Sequence, residues 1–261
     1  MRQPASTLAD RAPSRAPVEI RPLLTEGERR ACVALQRRIW GEDFAEIVPS
    51  SILKISQRLG GVADGAFDDR GTLVGFVFGI TGVENGAIVH WSDMLAVAPE
   101  VRNRGIGRLL KEHQRKAVAA VGAKVIYWTF DPLVARNAHL NFNVFGVRVI
   151  EYVEEMYGES SSPLHHGIGT DRFVVAWPVD DEELAARRGE IARLSHTAGA
   201  GVVRIEIPSD VEEVQSTDAN AASAWRKATR ASFQNRLADG YSIQGFEIDR
   251  EARRGRYLLT R

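Results

Sequence analysis

Polar and apolar positions run along the chain in two rhythms. From Val18 to Leu23 they alternate with period two, which predicts a short strand. Thr25 followed by Glu26 and Glu28 reads as a helix start; Cys32, Leu35 and Ile39 then recur at helical spacing until Gly41. Pro49 opens a second helical segment with Ile52, Leu53 and Ile55, ending at Gly60-Gly61. Three strand-like runs follow, Val62 to Phe67, Leu73 to Thr81 and Ala87 to Val97. Turn-forming Asp68-Asp69-Arg70-Gly71 and Glu84-Asn85-Gly86 separate them, so an antiparallel meander is expected. Gly105 to Val121 reads as a helix with Ile106, Leu109, Leu110, His113 and Ala117 on one face. Lys124 to Thr129 is a strand and Ala135 to Phe145 a short helix closed by Gly146. Val147 to Met156 and Phe173 to Val179 are two more strands.

The order β-α-α-β-β-β-α-β-α-β-β predicts an α/β fold with a mixed sheet flanked by helices. Residues 180–200 read as an exposed charged helix and a glycine-rich link. A C-terminal α/β extension follows, with strands Val202 to Ile207, Tyr241 to Ile248 and Tyr257 to Leu259. Its helix, Asp218 to Leu237, is expected to turn Trp225, Ala228, Ser232 and Leu237 inward. The expected division is a disordered tail at 1–17, a core domain at 18–180 and the extension at 181–261 packed on that core.

Composition narrows the function. Of 261 residues 44% are hydrophobic, and 34 Lys plus Arg balance 34 Asp plus Glu. A zero net charge argues against a general nucleic-acid binder, which needs surplus cations for phosphates. The single cysteine, Cys32, excludes an intrachain disulfide framework and a Cys-rich zinc module, and its apolar neighbours mark it as a core residue. An intracellular, reducing location, the cytoplasm, is expected. No stretch approaches the ~18 apolar residues of a membrane helix, and residues 1–17 lack the apolar centre of a secretory signal.

The most informative stretch runs from Leu95 to Leu110. A strand ends at Val97, a turn with Pro99 follows, and Arg102, Gly105 and Gly107 lead into a helix. The first N–H groups of a helix have no partner within it and carry partial positive charge. Glycines let a phosphate approach them, and Arg102, Arg104 and Arg108 add charge, so a diphosphate is the natural ligand. The Rossmann fingerprint fits poorly because Leu110 stands where its third small residue belongs, and the P-loop's Gly-Lys-Ser/Thr is absent.

Arg102-Asn103-Arg104-Gly105-Ile106-Gly107, preceded by Val97-Ala98-Pro99-Glu100-Val101, resembles the signature of the GNAT superfamily of acyl-CoA N-acyltransferases. The resemblance covers about residues 18–180. It implies that acyl-CoA (acetyl-CoA or succinyl-CoA) is the co-substrate, with no metal, and that the backbone of Arg102 to Gly107, with Arg108 beside it, binds the CoA diphosphate. It implies that Leu95, Ala96 and Val97 lie along the pantetheine arm, with the strand backbone of Leu95 and Val97 turned to it, and that the slot opens between the strands 87–97 and 124–129. On the helix 135–145, Asn137 and Asn141 are candidates for facing that slot, or else cap and fill the helix. The family's Tyr, which commonly protonates the departing CoA thiolate, is Phe142 here. The thiolate then leaves toward water, or Tyr127, Tyr152 or another donor substitutes.

A base must take a proton from the attacking amine. Alternation along His90-Trp91-Ser92-Asp93-Met94-Leu95 puts Trp91, Asp93, Leu95 and Val97 on one face and His90, Ser92 and Met94 on the other. Asp93 is the first candidate base, since an Asp inside a strand runs against propensity; His90 is the second and Glu84 the third. His165-His166 have no third ligand at a helpful spacing, and no metal site is expected.

The chain is also similar to a subgroup of the superfamily associated with N-acylamino-acid racemases. Trp128-Thr-Phe-Asp-Pro-Leu133, Arg136-Asn137, Asp171-Arg172-Phe173, Trp225-Arg226 and Gly240-Tyr241 carry that similarity. It implies an amino-acid amine as acceptor and, in some members, succinyl-CoA as donor, with Arg136, Arg148 or Arg172 as candidate partners for a carboxylate. A small-molecule amine is the expected partner, with no nucleic acid and no membrane; a homodimer is left open. The rivals are a non-catalytic acyl-CoA-binding protein and an enzyme acylating protein amines.

Overall fold

The computed structural model describes residues 18–158, 168–196 and 201–261, which form two sheets. Strands β1 (Glu19–Pro22), β2 (Val62–Phe67), β3 (Leu73–Glu84), β4 (Ala87–Val97), β5 (Val125–Phe130), β6 (Arg148–Val153) and β7 (Arg172–Pro178) make a seven-stranded sheet. Its order is β1-β2-β3-β4-β5-β7-β6. Only the β4–β5 pair is parallel, so the mixed sheet expected from the sequence is present.

Helices α1 (Glu26–Trp40) and α2 (Ser50–Arg58) cover one face, burying Cys32, Leu35 and Leu53 against Phe76, Phe78, Met94 and Ala96. The α1 start is a capping box: Thr25 Oγ1 accepts from the Glu28 amide at 3.1 Å and the Glu28 carboxylate accepts from the Thr25 amide at 2.9 Å. The other face carries α3 (Ile106–Ala120) and α4 (Ala135–His139). A π-helical turn, Leu140–Phe145, replaces the second half of the expected 135–145 helix; its wider winding lets Asn141, Phe142 and Phe145 all turn inward.

The inner face of α3 departs from the expectation. Leu109 is 50% exposed, whereas Lys111 and Gln114 join Ile106, Leu110 and Val118 inside. Apolar periodicity cannot see such polar residues, which are buried because partners await them on β4.

Beyond β7 come α5 (Asp181–His196), β8 (Val203–Pro208), α6 (Val211–Thr217), α7 (Ala219–Ala238), β9 (Ser242–Asp249) and β10 (Arg254–Thr260). The three strands form an antiparallel sheet in the order β8-β10-β9. The α5 helix is not the exposed element expected. Leu184 and Ile191 are buried, and so is Arg187, which donates to Val147 O and Gln244 O. The α7 inner face is Ala222, Arg226, Thr229 and Phe233, one position on from Trp225, Ala228 and Ser232. Arginine won this contest because Arg226 donates to Asp131 at 2.5 Å and Arg230 to buried Asp171 at 2.5 Å.

One apolar cluster runs through both sheets. Phe173 meets Phe233 at 4.9 Å, Tyr257 meets Phe246 at 4.9 Å, and Phe142 meets Tyr257 at 5.9 Å between ring centroids. The Tyr257 hydroxyl donates to Pro132 O at 2.7 Å. The extension thus grips the 128–133 segment that leaves β5. The tail 1–17, His165-His166 and residues 197–200 lie outside the described residues.

Candidate active site

Strands β4 and β5 pair only over Val89–Trp91 and Val125–Tyr127. Beyond that point β5 stays with β7 while β4 stays with β3, so a slot opens between the two parallel strands. On the β4 side, the Ala98 amide donates back to Val74 O at 2.8 Å. By strand alternation the backbone of Ala96 faces β3 and that of Leu95 and Val97 faces the slot.

Asp93 sits at a bulge. Phe78 pairs with Met94 and Gly79 with Ser92, which leaves Asp93 without a partner on β3. The extra residue overturns the expected alternation. His90, Ser92, Leu95 and Val97 turn to the α3 face, and Met94 and Ala96 pack with the α1–α2 core. Asp93 itself is exposed at its surface although protein crowds it at longer range. Burial and the negative charge of Glu46 raise its pKa above the ordinary aspartate value. A carboxylate held in this way is a better proton acceptor than a free one.

The loop at the open end of the slot leads into the start of α3. One 3-10 turn, Pro99–Val101, follows β4, Asn103 adopts φ +62°, and Gly105 begins α3 at φ +81° with no side chain capping the helix. A Cβ on Gly107 would lie 3.7 Å from Leu95 and 3.8 Å from Val97, so α3 starts directly over the end of β4. Arg102 donates to Val97 O at 3.2 Å and Arg104 to Glu100 O at 3.4 Å, while Asn103 and Arg108 are exposed. Ile106 is buried and anchors the first turn.

Other expected residues fall elsewhere. His90 is fully buried under α3, with Nδ1 3.0 Å from Thr81 Oγ1 and Nε2 3.0 Å from Gln114 Nε2. Burial, with the nearby charge of Lys111, lowers its pKa to about 4, so it is a neutral core residue with both nitrogens engaged. Asn141 is also buried, its Oδ1 accepting from Trp128 Nε1 at 3.0 Å, so it fills the core; Asn137 is half-buried on α4. Phe142 is buried and packs on Phe130 and Tyr257. Of the candidate replacement donors, Tyr152 donates to Asp171 and Tyr127 to Glu84 at 2.8 Å; burial and these carboxylates raise both phenols above their ordinary value. Glu84 is therefore engaged with Tyr127. Arg136 pairs with Glu212 at 2.6 Å, Arg172 with Asp131 at 3.6 Å, and Arg148 is exposed.

Sequence reasoning missed Lys111 and Gln114 altogether, and the Asp64–His113 pair, 3.0 Å apart between β2 and α3. No group of three or more His, Cys, Asp or Glu able to hold a metal occurs among the described residues. Among them, too, no helix is long and apolar enough to cross a membrane.

Residues 30–141 match the model of the Acetyltransferase (GNAT) family. This stretch holds β4, the glycine loop and α3. The fold is similar to yncA, a putative acetyltransferase from Salmonella typhimurium solved with its cofactor acetyl-CoA. That match has 16% identity and a TM-score of 0.50, over 63% of this chain and 95% of that one. The ribosomal-protein-S18-alanine N-acetyltransferase from Escherichia coli matches at 18% identity and TM-score 0.48, over 62% and 94%. NAA60 of Arabidopsis thaliana, in complex with acetyl-CoA, matches at 14% and 0.48, over 62% and 99%. No curated protein matches the chain.

Proposed function

We propose that the protein moves an acyl group from acyl-CoA to the amine of a small molecule. The observation that carries this reading is the slot: β4 freed from β5 beyond Trp91–Tyr127, with the glycine-opened start of α3 at its mouth. The amides from Arg102 to Gly107 take the diphosphate, Leu95 and Val97 pair with the pantetheine arm as an added strand would, and the thioester comes to rest near Asp93. The amine arrives on the open face and gives its proton to Asp93. A backbone N–H near Leu95 takes the oxyanion.

Acetyl is the generic acyl group. The similarity to the racemase-associated subgroup adds an amino-acid acceptor and a succinyl donor. Arg136 and Arg172 are already paired with carboxylates, so of the three candidates Arg148, exposed on β6, is the one for a succinyl or amino-acid carboxylate. With Cys32 as its single cysteine the chain has no intrachain disulfide to lose, which fits the reducing cytoplasm.

The test follows release of free CoA from acetyl- and succinyl-CoA across a panel of amino acids, other small amines and peptides. Turnover with free amines supports the reading. Turnover with peptides alone moves it to a protein acylase, and tight CoA binding without turnover moves it to a binding protein. Gly105→Glu puts a carboxylate and a strained side chain where the diphosphate sits. CoA affinity is expected to fall ~100-fold or more, about 3 kcal/mol; unchanged affinity on calorimetric titration removes the diphosphate assignment.

A further inference from the structure

Lys111 lies inside the protein, 4% exposed, where β4 and β5 part. Its Nζ donates to Ser92 Oγ at 2.7 Å and stands 3.8 Å over the Trp128 ring. Ser92 follows Trp91 and Trp128 follows Tyr127, the last residues paired across the two strands. The ammonium therefore bridges the strands at the closed end of the slot. Its partners are a hydroxyl and an aromatic face, not a carboxylate, and burial pulls its pKa well below the ordinary lysine value. A cation without a counter-ion is an expensive way to fill a core that methionine would fill.

On β4, His90 lies close enough to feel its charge and is tied to Thr81 and Gln114; on β5, Trp128 is held by Asn141. Further along α3, His113 is engaged by Asp64 of β2.

When the amine has attacked, the C–S bond breaks and its electron pair goes to the CoA sulfur. A thiol ordinarily ionises near pH ~8.5, so the departing thiolate is basic enough to want a proton. Phe142 has none to give, and Tyr127 and Tyr152 spend theirs on Glu84 and Asp171. The donor enters from the α3 start, past Val97 and Leu95, so its thioester end lies toward Lys111. Resting on the acyl-CoA reading of the slot, we infer that Lys111 is the proton donor to the departing thiolate. The N–C bond forms, the C–S bond breaks, the sulfur takes the Lys111 proton to become CoA thiol, and the amine proton passes to Asp93. Asp93 then releases one proton to water and Lys111 takes one back, so the cycle balances.

The experiment compares acetyl-CoA with its selenoester analogue, whose selenolate departs without a proton. Lys111→Met is expected to lower turnover with acetyl-CoA ~100-fold and with the selenoester less than ~5-fold. Lys111→Arg, a cation that keeps its proton, follows the same pattern and serves if the methionine variant fails to fold. A second readout needs no turnover: the thiol of bound CoA, titrated by its ultraviolet thiolate absorbance, ionises at lower pH in the wild type than in Lys111→Met. Equal losses on both donors, unchanged turnover with acetyl-CoA, or identical thiol titrations overturn the inference. A wild type inactive with every donor and amine sinks the transferase reading instead, a result distinct from variants that match an active wild type.

Discussion

The two faces of β4 and β5 carry the same kinds of residue and use them in opposite ways. Toward α3 lies a sealed polar layer in which Thr81 meets His90, His90 meets Gln114, Lys111 meets Ser92 and Trp128 meets Asn141. Toward the other side lie Trp91, Asp93, Tyr127 and Thr129, with Glu84 and Tyr157 hydrogen-bonded to the last two. One face holds its titratable groups with hydrogen bonds in a dry interior. The other keeps a carboxylate, Asp93, exposed to solvent. The difference begins with one extra residue, Asp93, which changes which side chains of β4 look which way. Address, not residue type, separates the two candidate bases: a histidine is the better base by its free pKa, yet the aspartate is the one that is accessible.

The sharpest way to break this contrast is Asp93→Asn. Turnover is expected to fall ~100- to 1000-fold with CoA affinity unchanged, because the amide cannot accept the amine's proton. The carboxylate acts only when ionised and its pKa is raised, so wild-type kcat/KM should fall as pH drops through that raised value, above the ordinary aspartate range. Loss of that acidic limb in the variant checks the assignment; normal turnover across pH removes Asp93 as the base.

His90, on the sealed face, is expected to respond in stability instead. His90→Leu strips partners from Thr81 and Gln114 and should cost about 2–3 kcal/mol of unfolding free energy, with the pH profile of turnover kept. Its linkage is also distinct. The folded pKa, about 4, lies below the ordinary histidine value, so the neutral ring's contribution is complete above about pH 6.5 and fades as pH falls toward 4. Denaturant melts between pH 7 and 4 should show a smaller loss in the variant than in the wild type. A variant that instead loses its turnover while staying folded would return His90 to the chemistry.

Phe142→Tyr asks whether the departure from the family's Tyr is a gap in the site or a consequence of packing. The ring is enclosed by Phe130 and Tyr257, so a hydroxyl there meets apolar surroundings. A cost of about 1–2 kcal/mol in stability is expected, with no gain in turnover; a faster enzyme would show that the position still reaches the sulfur.

Much of this was legible in the sequence, for identifiable reasons. The Thr25–Glu28 capping box, the glycine-marked loop at Gly105 and the strand from Ala87 to Val97 are local signals, and each stands where its residues put it. The bulge was not legible, since nothing in His90-Trp91-Ser92-Asp93-Met94 announces an unpaired residue; only the register against β3 does. Lys111 was hidden for the opposite reason. A helical lysine reads as solvated, and its burial depends on Ser92 and Trp128, distant in sequence and close in space. The inner faces of α5 and α7 were misread likewise, because Arg187, Arg226 and Arg230 are drawn inward by carbonyls and carboxylates of the core.

The finest contrast concerns Tyr127, on the open face at the slot's closed end. If openness alone made a group reactive, this phenol would be the natural proton donor. Its hydroxyl is instead committed to Glu84, and burial with that carboxylate raises its pKa, so the proton is held more tightly than in a free phenol. Tyr127→Phe should therefore change kcat less than ~5-fold, and stability by under about 1 kcal/mol, the worth of one partly solvated hydrogen bond. Freed from the phenol, the Glu84 carboxylate has an acceptor position open near the open face, so a modest fall in KM for a cationic amine is the expected direction. A loss of turnover that spares the selenoester donor would transfer the proton-donor role from Lys111 to this tyrosine, and with it the claim that the sealed face supplies the proton.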